Sequence, residues 1–267
     1  MIITITLLTI LAWASTWSII AVRLKKQAAR QPDIKLLNII WPTSLILHGI
    51  LLLHPLITNN ILSFSLLSSL STVMWISGLI LYLAHLKRPL ETMGLFIIPF
   101  IILSIVSALI DPKISQTINL QHGLGLHILF SLLAYSMLAL ATLQALLLAV
   151  QNKHLHNHKP NGLIKTLPPL QDMESLLFQL IIAGVILLTL GLITGFIFLD
   201  GLFGKQVAHK TILSMIAWLT FSTLLIGHWR YGWRGKIAIR WTITGFTFLM
   251  LAFWGSKFVL EYLVKIP

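Results

Sequence analysis

The chain of 267 residues is 57% hydrophobic and only 10% charged, and it contains no cysteine. A soluble domain cannot bury so much apolar surface, so this composition excludes a soluble globular protein and predicts a protein of the lipid bilayer. The absence of cysteine excludes a disulfide, a thiolate metal site and thiol redox chemistry carried by this chain. The net charge of +12 is of the sign expected for a protein that binds nucleic acid. The basic residues, however, fall in short loops between apolar runs and not on one continuous face, so we expect no nucleic-acid partner.

Apolar runs recur along the whole chain, each about 20 residues long and therefore able to span a bilayer. Helices satisfy their own backbone hydrogen bonds in lipid, which makes them the expected structure for such runs. We predict an all-α integral membrane protein, a bundle of about eight transmembrane helices that forms a single polytopic domain over residues 1–267. The predicted helices lie at 2–22, 37–57, 62–84, 94–110, 124–150, 176–199, 209–227 and 239–263.

Lysine and arginine are distributed unequally between the two sides of the predicted bundle. Fourteen of the nineteen fall in or beside the first, third, fifth and seventh loops, and five fall on the opposite side. Cytoplasmic loops carry the excess of positive charge in membrane proteins. The odd-numbered loops are therefore predicted to face the cytoplasm, and both termini are predicted to lie outside.

Two histidines are placed toward the outer face. His127 lies about one turn inside the fifth predicted helix, and His209 opens the seventh on the same side. Imidazole is a common axial ligand of haem iron, and histidines on two helices can approach a flat macrocycle from opposite faces. The pair predicts an outer haem site, while two interfacial histidines bonded to headgroups or backbone are an equally good interpretation. His122, five residues earlier, is an alternative to His127.

Two further histidines are placed toward the inner face. His85 ends the third predicted helix and His228 ends the seventh, and basic residues that include Arg88 and Arg230 follow them. Arginine side chains pair well with carboxylates such as the two propionates of haem. The pattern predicts an inner haem site, although topology alone also explains the basic residues. His209 and His228 are separated by about 28 Å along one helix, so this helix presents a histidine at each face.

The remaining histidines favour structural roles. His48 lies near the middle of the second predicted helix, where a hydrogen bond to a neighbouring helix is the favoured interpretation. His154, His156 and His158 alternate in a lysine-containing stretch, which favours a solvated loop over a metal site.

Several other residues of the second half also have simple structural interpretations. Gly191 and Gly195 form a small-xxx-small pair, which predicts close helix packing. Trp218 favours core packing over a role as a porphyrin wall. Asp172 and Glu174 precede the sixth predicted helix and are interpreted as caps or topology markers.

Enzyme signatures are absent from the sequence. It has no paired carboxylates inside the predicted spans, no phosphate-binding loop and no HExxH motif, so we expect a protein that is not an enzyme.

Several motifs carry a family resemblance. Two segments resemble the cytochrome c assembly family, which includes CcsA-like and CcmC-like proteins. They are HILFSLLAY at residues 127–135 and GWRGK at residues 232–236. Three further segments resemble the YpjD-type inner-membrane branch of that family. They are PPLQDME at residues 168–174, HKT at residues 209–211 and WGSK at residues 254–257. The resemblance is strongest over residues 123–267, the family-like core, and weaker over residues 1–110.

The resemblance implies haem binding and a role in cytochrome c biogenesis at the bacterial inner membrane. It matches His127 to an external haem ligand, His228 to an intramembrane ligand near the inner face, and His85 to the other intramembrane position. We expect a b-type haem held without covalent attachment, and other cytochrome c maturation proteins as candidate partners.

Two departures from the family pattern bear on haem delivery. The family's transporters carry a tryptophan-rich loop before the equivalent of the seventh helix, whereas residues 200–209 contain no tryptophan. The second external histidine of the family is also missing, since Ser256 and Lys257 stand near that position. His209 is our own candidate for a substitute ligand and has no match in the family.

The sequence therefore predicts a haem-binding inner-membrane protein that takes part in haem handling. One alternative is an accessory membrane protein of the same fold that has lost haem delivery. Another is a transporter of ions or small solutes, which the shortage of intramembrane carboxylates disfavours.

Overall fold

The structure is a computed structural model that describes residues 2–26, 34–59, 65–88, 90–109, 124–156, 167–198 and 208–255. In these ranges the chain forms eight α-helices and one π-helical turn, and no strand. The helices are α1 (Ile2–Lys26), α2 (Ile34–Asn59), α3 (Leu66–His85), α4 (Glu91–Leu109), α5 (Leu124–His156), α6 (Leu170–Phe198), α7 (Ala208–Tyr231) and α8 (Lys236–Met250), which the π-helical turn Leu251–Gly255 follows.

The predicted all-α membrane fold is confirmed, because all eight helices contain stretches long and apolar enough to cross a membrane. Large apolar side chains cover the outside of these helices, and Leu11, Leu103 and Ile197 are 62–66% exposed. Hydroxyl side chains turn back to their own helix, as where Thr9 Oγ1 donates to the Ile5 carbonyl and Ser77 Oγ to the Val73 carbonyl, each at 2.8 Å. Such bonds satisfy the hydroxyl groups inside a hydrocarbon environment. The side of the membrane on which the termini lie stays a prediction.

The chain divides into two compact units, one that contains α1–α4 and one that contains α5–α8. The assignment of the whole chain to one membrane domain stays a prediction.

Tryptophan side chains form the centre of the first unit, where Trp13 and Trp41 are fully buried. Glycine makes room for them. A Cβ added at Gly78 would lie 3.1 Å from the Trp13 ring, and one added at Gly94 would lie 3.0 Å from the Trp41 ring. Two indoles can therefore pack between helices that approach each other closely.

Polar contacts also join the helices of the first unit. The guanidinium of Arg23, in the last turn of α1, donates to both carboxylate oxygens of Glu91, the first residue of α4, at 3.0 and 2.9 Å. Between α2 and α3, His48 Nε2 lies 2.9 Å from Ser71 Oγ, and both residues are buried. The helix-to-helix hydrogen bond predicted for His48 is thus confirmed.

Close contact between α5 and α6 is the main packing feature of the second unit. A Cβ at Gly184 would lie 2.6 Å from Leu138 Cδ2, and one at Gly191 would lie 3.3 Å from Ser131 Oγ. Gly195 is also buried. The close packing predicted from Gly191 and Gly195 is confirmed at Gly191, and Gly184 extends it along the helix.

The predicted start of the sixth helix was wrong by six residues. The helix α6 begins at Leu170, and the backbone N–H groups of Asp172 and Met173 donate to the Pro169 carbonyl. Proline is favoured at a helix start because its missing N–H has no partner to lose there. Asp172 and Glu174 therefore lie inside the helix and not before it. The sequence prediction left them out because charged residues lower the hydropathy by which a membrane span is recognised.

The predicted end of the fifth helix was also too early. The helix α5 continues to His156, so His154 and His156 lie in the helix and not in a loop. The Nδ1–H of His154 donates to the Val150 carbonyl of the same helix. His158, His122, most of the tryptophan-free stretch 200–209, and Ser256 and Lys257 lie outside the described residues.

Candidate functional site

His127 is placed by its contact with α6. It is the fourth residue of α5 and half-buried, and its Nδ1 lies 2.8 Å from the Gly191 carbonyl oxygen. A carbonyl oxygen only accepts hydrogen bonds, so Nδ1 carries the proton. The lone pair of the neutral ring is then on Nε2, which makes no hydrogen bond within the described part of the chain. Metal-ligating histidines are held in this way, with the other ring N–H donated to a fixed acceptor.

The carbonyl that holds His127 is accessible because of the residue that carries it. Gly191 has no side chain, and a Cβ there would meet Ser131 on α5 at 3.3 Å. The Thr194 hydroxyl lies 2.8 Å from the Leu190 carbonyl and 3.0 Å from the Gly191 carbonyl, between which its single proton is shared. The glycine that lets α5 and α6 approach thus also provides the acceptor that orients His127.

His209 lies in a different environment. It is the second residue of α7, it is exposed, and it makes no hydrogen bond to the residues that the structure describes. Among the described residues, none fixes the orientation of its ring by a hydrogen bond. The pairing of His209 with His127 as an outer haem site stays a prediction.

Of the described histidines of the second unit, His228 is held by both a hydrogen bond and a stacked ring. It lies in the last turn of α7, and its Nδ1 is 2.9 Å from the carbonyl oxygen of Trp233 in the turn between α7 and α8. Its ring stacks on Phe178 of α6, with 3.6 Å between ring centroids and 18° between planes. As at His127, Nδ1 must be the donor, so the ring presents the Nε2 lone pair.

The turn that holds His228 packs tightly on α7. The Trp233 N–H donates to the Gly227 carbonyl at 3.1 Å. A Cβ at Gly227 would lie 2.2 Å from Trp233 Cε3, so the indole covers this glycine directly. The Trp233 ring also packs against Trp241, with 5.5 Å between centroids. These contacts hold the α7 side of the turn that supplies the acceptor for His228.

His85 belongs to the first unit and has a different arrangement. It is the last residue of α3, as predicted, and its ring stacks on Trp41 with 5.3 Å between centroids and 23° between planes. Its Nδ1 is buried and has no hydrogen-bond partner among the described residues. Within the described ranges no acceptor fixes its tautomer, in contrast to His127 and His228. The pairing of His85 with His228 stays a prediction.

The predicted propionate partners Arg88 and Arg230 are both exposed. Arg88 follows the end of α3, and its backbone N–H donates to the Ala84 carbonyl. Arg230 lies in the last turn of α7, and its side chain has neither a hydrogen bond nor an ion pair within the described ranges. Their pairing with an anionic group stays a prediction.

Sequence reasoning missed two buried glutamines of the second unit, and it interpreted Glu174 as a cap or topology marker without identifying its partner. Gln144 and Gln151 are buried, and their amides donate to the backbone carbonyls of Met173 and Pro168 at 3.0 and 2.9 Å. The carboxylate of Glu174 accepts from the backbone N–H of Gly235 at the start of α8. Glutamine within an apolar run was the available signal, since a buried amide in lipid requires a partner.

One other sequence interpretation is settled by a contact in this unit. Trp218 Nε1 donates to Thr189 Oγ1 at 2.8 Å, so this indole joins α7 to α6 as a packing residue. Among the described residues, no group of three or more histidine, cysteine, aspartate or glutamate side chains could hold a metal ion.

Comparison with known proteins identifies one family. The family described as Cytochrome C assembly protein matches residues 36–264 of this chain. The inner membrane protein YpjD of Escherichia coli K12 is 38% identical over 137 residues, which is 51% of this chain and 52% of YpjD. The cytochrome c biogenesis protein CcsA of Prochlorococcus marinus MIT 9515 is 29% identical over 91 residues, 33% of this chain and 29% of CcsA. These matches span about half or less of the curated relatives' length, and no solved structure matches the chain.

Proposed function

We propose that this chain, which belongs to the cytochrome c assembly protein family and is a multi-pass protein of the bacterial inner membrane, binds haem non-covalently through His127 and His228. In this proposal it serves haem handling in cytochrome c biogenesis. The observation that carries the proposal is the same at both histidines. Each donates its Nδ1–H to a fixed backbone carbonyl and directs the Nε2 lone pair away from that bond. Orientation by a second hydrogen bond is the usual support of a metal-ligating imidazole.

The donor set fits haem better than it fits other metal groups. A porphyrin supplies four nitrogen ligands itself, so the protein has to add only one or two imidazoles. The chain has no cysteine, so neither a thiolate ligand nor a thioether bond to the protein is available. We therefore propose a haem held without covalent attachment, of b-type, with imidazole ligation. When bound, it supplies an iron centre to the assembly pathway, and we propose that the protein binds it without catalysing a reaction.

Family members' names support the same proposal. CcsA is named for cytochrome c biogenesis, and this chain is similar to part of it. The residues that resemble the family include both His127 and His228. Haem and other cytochrome c maturation proteins are accordingly the proposed partners within the membrane.

Absorbance spectroscopy of the purified protein tests the proposal. The full-length protein is isolated in detergent from a haem-replete host, and the Soret band is compared with that of His127→Ala and His228→Ala. His154→Ala is the matched control, because His154 lies near the end of α5 with its Nδ1 bonded to its own helix. The proposal predicts a Soret band in the parent and in the control, with at least one ligand variant losing most of it. His85→Ala tests separately the ligand predicted in the first unit.

Two results would count against haem binding. One is a parent protein without a Soret band after haem is supplied. The other is a set of spectra in which His127→Ala and His228→Ala both match the parent. In either case the second candidate takes precedence, an accessory protein of the same fold, which the tryptophan-free stretch 200–209 already favours. Co-purification of stable protein partners with background haem content would then be expected.

A further inference from the structure

The Glu174 carboxylate on α6 accepts a hydrogen bond from the turn whose Trp233 carbonyl holds His228. We propose that Glu174 is a positioning residue that fixes His228 in its Nδ1-protonated form, so that Nε2 stays available to a metal ligand. The metal-binding part of this inference rests on the proposed function. The tautomer itself can be tested in protein that contains no haem.

The first step is the cap that Glu174 provides to α8. The residue before α8 is Gly235, which has no side chain to cap the helix, and its φ is +54°. A helix start leaves backbone N–H groups without intrahelical partners, and an acidic group near them is favourable. The Glu174 carboxylate accepts the Gly235 N–H and so serves as a cap supplied by another helix.

The second step links this cap to Trp233. The turn of residues 232–235 is held at its other end by α7, where the Gly232 N–H donates to the His228 carbonyl and the Trp233 N–H to the Gly227 carbonyl, both at 3.1 Å. Two glycines with positive φ, Gly232 and Gly235, leave the turn few constraints of its own. Glu174 therefore fixes the end of the turn that α7 does not hold.

The third step is the bond to His228. With the turn fixed, the Trp233 carbonyl lies 2.9 Å from His228 Nδ1. Phe178 lies four residues after Glu174, on the same face of α6, and stacks on the imidazole. One face of α6 thus sets both the plane of the ring and, through the turn, the nitrogen that carries its proton.

The position of α6 is itself secured against α5. The buried amide of Gln144 donates to the Met173 carbonyl, one residue before Glu174. The hydrogen bonds therefore run from α5 through α6 and the turn to His228.

Nitrogen-15 NMR of histidine-labelled, haem-free protein in detergent tests the inference, with the His228 signals assigned by their loss in His228→Gln. The parent is expected to show His228 protonated at Nδ1. Glu174→Ala is expected to shift the ring to the Nε2-protonated form or to a mixture. Glu174→Gln is expected to keep the parent form, because an amide oxygen can still accept from Gly235. Asp172→Ala is the control, an exposed carboxylate two residues earlier on α6.

Haem titration provides a second readout. Loss of a partner that orients a metal-ligating histidine typically weakens metal binding about 10-fold to 100-fold. Glu174→Ala is expected to lie in that range, and Glu174→Gln and Asp172→Ala within about two-fold of the parent.

The outcomes separate this inference from the proposed function. A parent His228 protonated at Nε2, or a tautomer that does not change in Glu174→Ala, overturns the positioning role whether or not haem binds. A tautomer that responds as expected in a protein that takes up no haem supports the positioning role and overturns the proposed function. If Glu174→Ala does not fold, Glu174→Leu, which replaces the carboxylate with an apolar side chain of similar size, is measured instead with the same expected shift. An unchanged tautomer in that variant overturns the positioning role.

Discussion

Replacement of Gly227 by alanine tests whether the turn between α7 and α8 is held by direct packing of Trp233 on α7. A Cβ at this position would lie 2.2, 2.4 and 2.7 Å from three atoms of the Trp233 indole. The indole has little freedom to move away, because the backbone N–H of Trp233 donates to the Gly227 carbonyl and the Trp233 ring packs against Trp241. The substitution should therefore displace the turn and weaken the Trp233 bond to His228.

The net effect combines two opposing terms. Excess volume in a packed site costs about 1–3 kcal/mol, and the rigid indole places this site near the upper value. Alanine in place of glycine in a helix returns about 1 kcal/mol. A net loss of about 2 kcal/mol corresponds to a fall in Tm of about 4–8 °C for a chain of this size.

Thermal unfolding in detergent, followed by circular dichroism at one fixed scan rate, measures this effect. Gly232→Ala is the matched control. Gly232 has a φ of +67° and nothing within 4 Å of an added Cβ, so its replacement should cost about 1 kcal/mol through backbone strain alone. In a Trp233→Leu background the cost of Gly227→Ala should largely disappear, whereas that of Gly232→Ala should persist. An unchanged cost of Gly227→Ala in that background would refute the packing explanation.

Three further predictions concern polar contacts inside the two units. Glu91→Gln should lower the free energy of unfolding by about 2 kcal/mol, because it breaks a two-bond ion pair between Glu91, whose side chain is 13% exposed, and Arg23, whose side chain is 10% exposed. A double-mutant cycle with Arg23→Gln should show that the two costs are not additive. Ser71→Ala should cost about 1 kcal/mol by removing the partner of the buried His48 Nε2, and a Tm equal to the parent's would contradict that contact. Tyr135→Phe should lower the free energy of unfolding by about 1 kcal/mol, because the buried phenol donates to a backbone carbonyl of α8. Urea or thermal unfolding of the variant would measure this loss.

The sequence predicted the number and type of elements because membrane insertion depends on local composition. Each span needs a run of apolar residues whose length is set by the bilayer, so eight helices could be counted without knowledge of their packing. Their ends were predicted less well for the same reason. Polar residues such as Glu174 in α6 and Gln151 in α5 are read as the limits of a span, although the helix continues through them.

The sequence also identified the histidines of interest but not how each is held. His48 was correctly interpreted, since a buried imidazole in a span needs a partner on a neighbouring helix. The acceptors for His127 and His228 are backbone carbonyls of Gly191 and Trp233. Every residue carries a carbonyl, so a sequence gives no sign of the one that will accept.

Composition by itself thus determined that this chain is a helical membrane protein, and its motifs indicated the family. Only the tertiary structure decided which ring nitrogen of His127 and His228 carries the proton, and that Glu174 caps a helix other than its own. The physical reason is that span formation sums local transfer free energies along the chain. Hydrogen-bond orientation, in contrast, depends on atoms brought together from distant positions in the sequence.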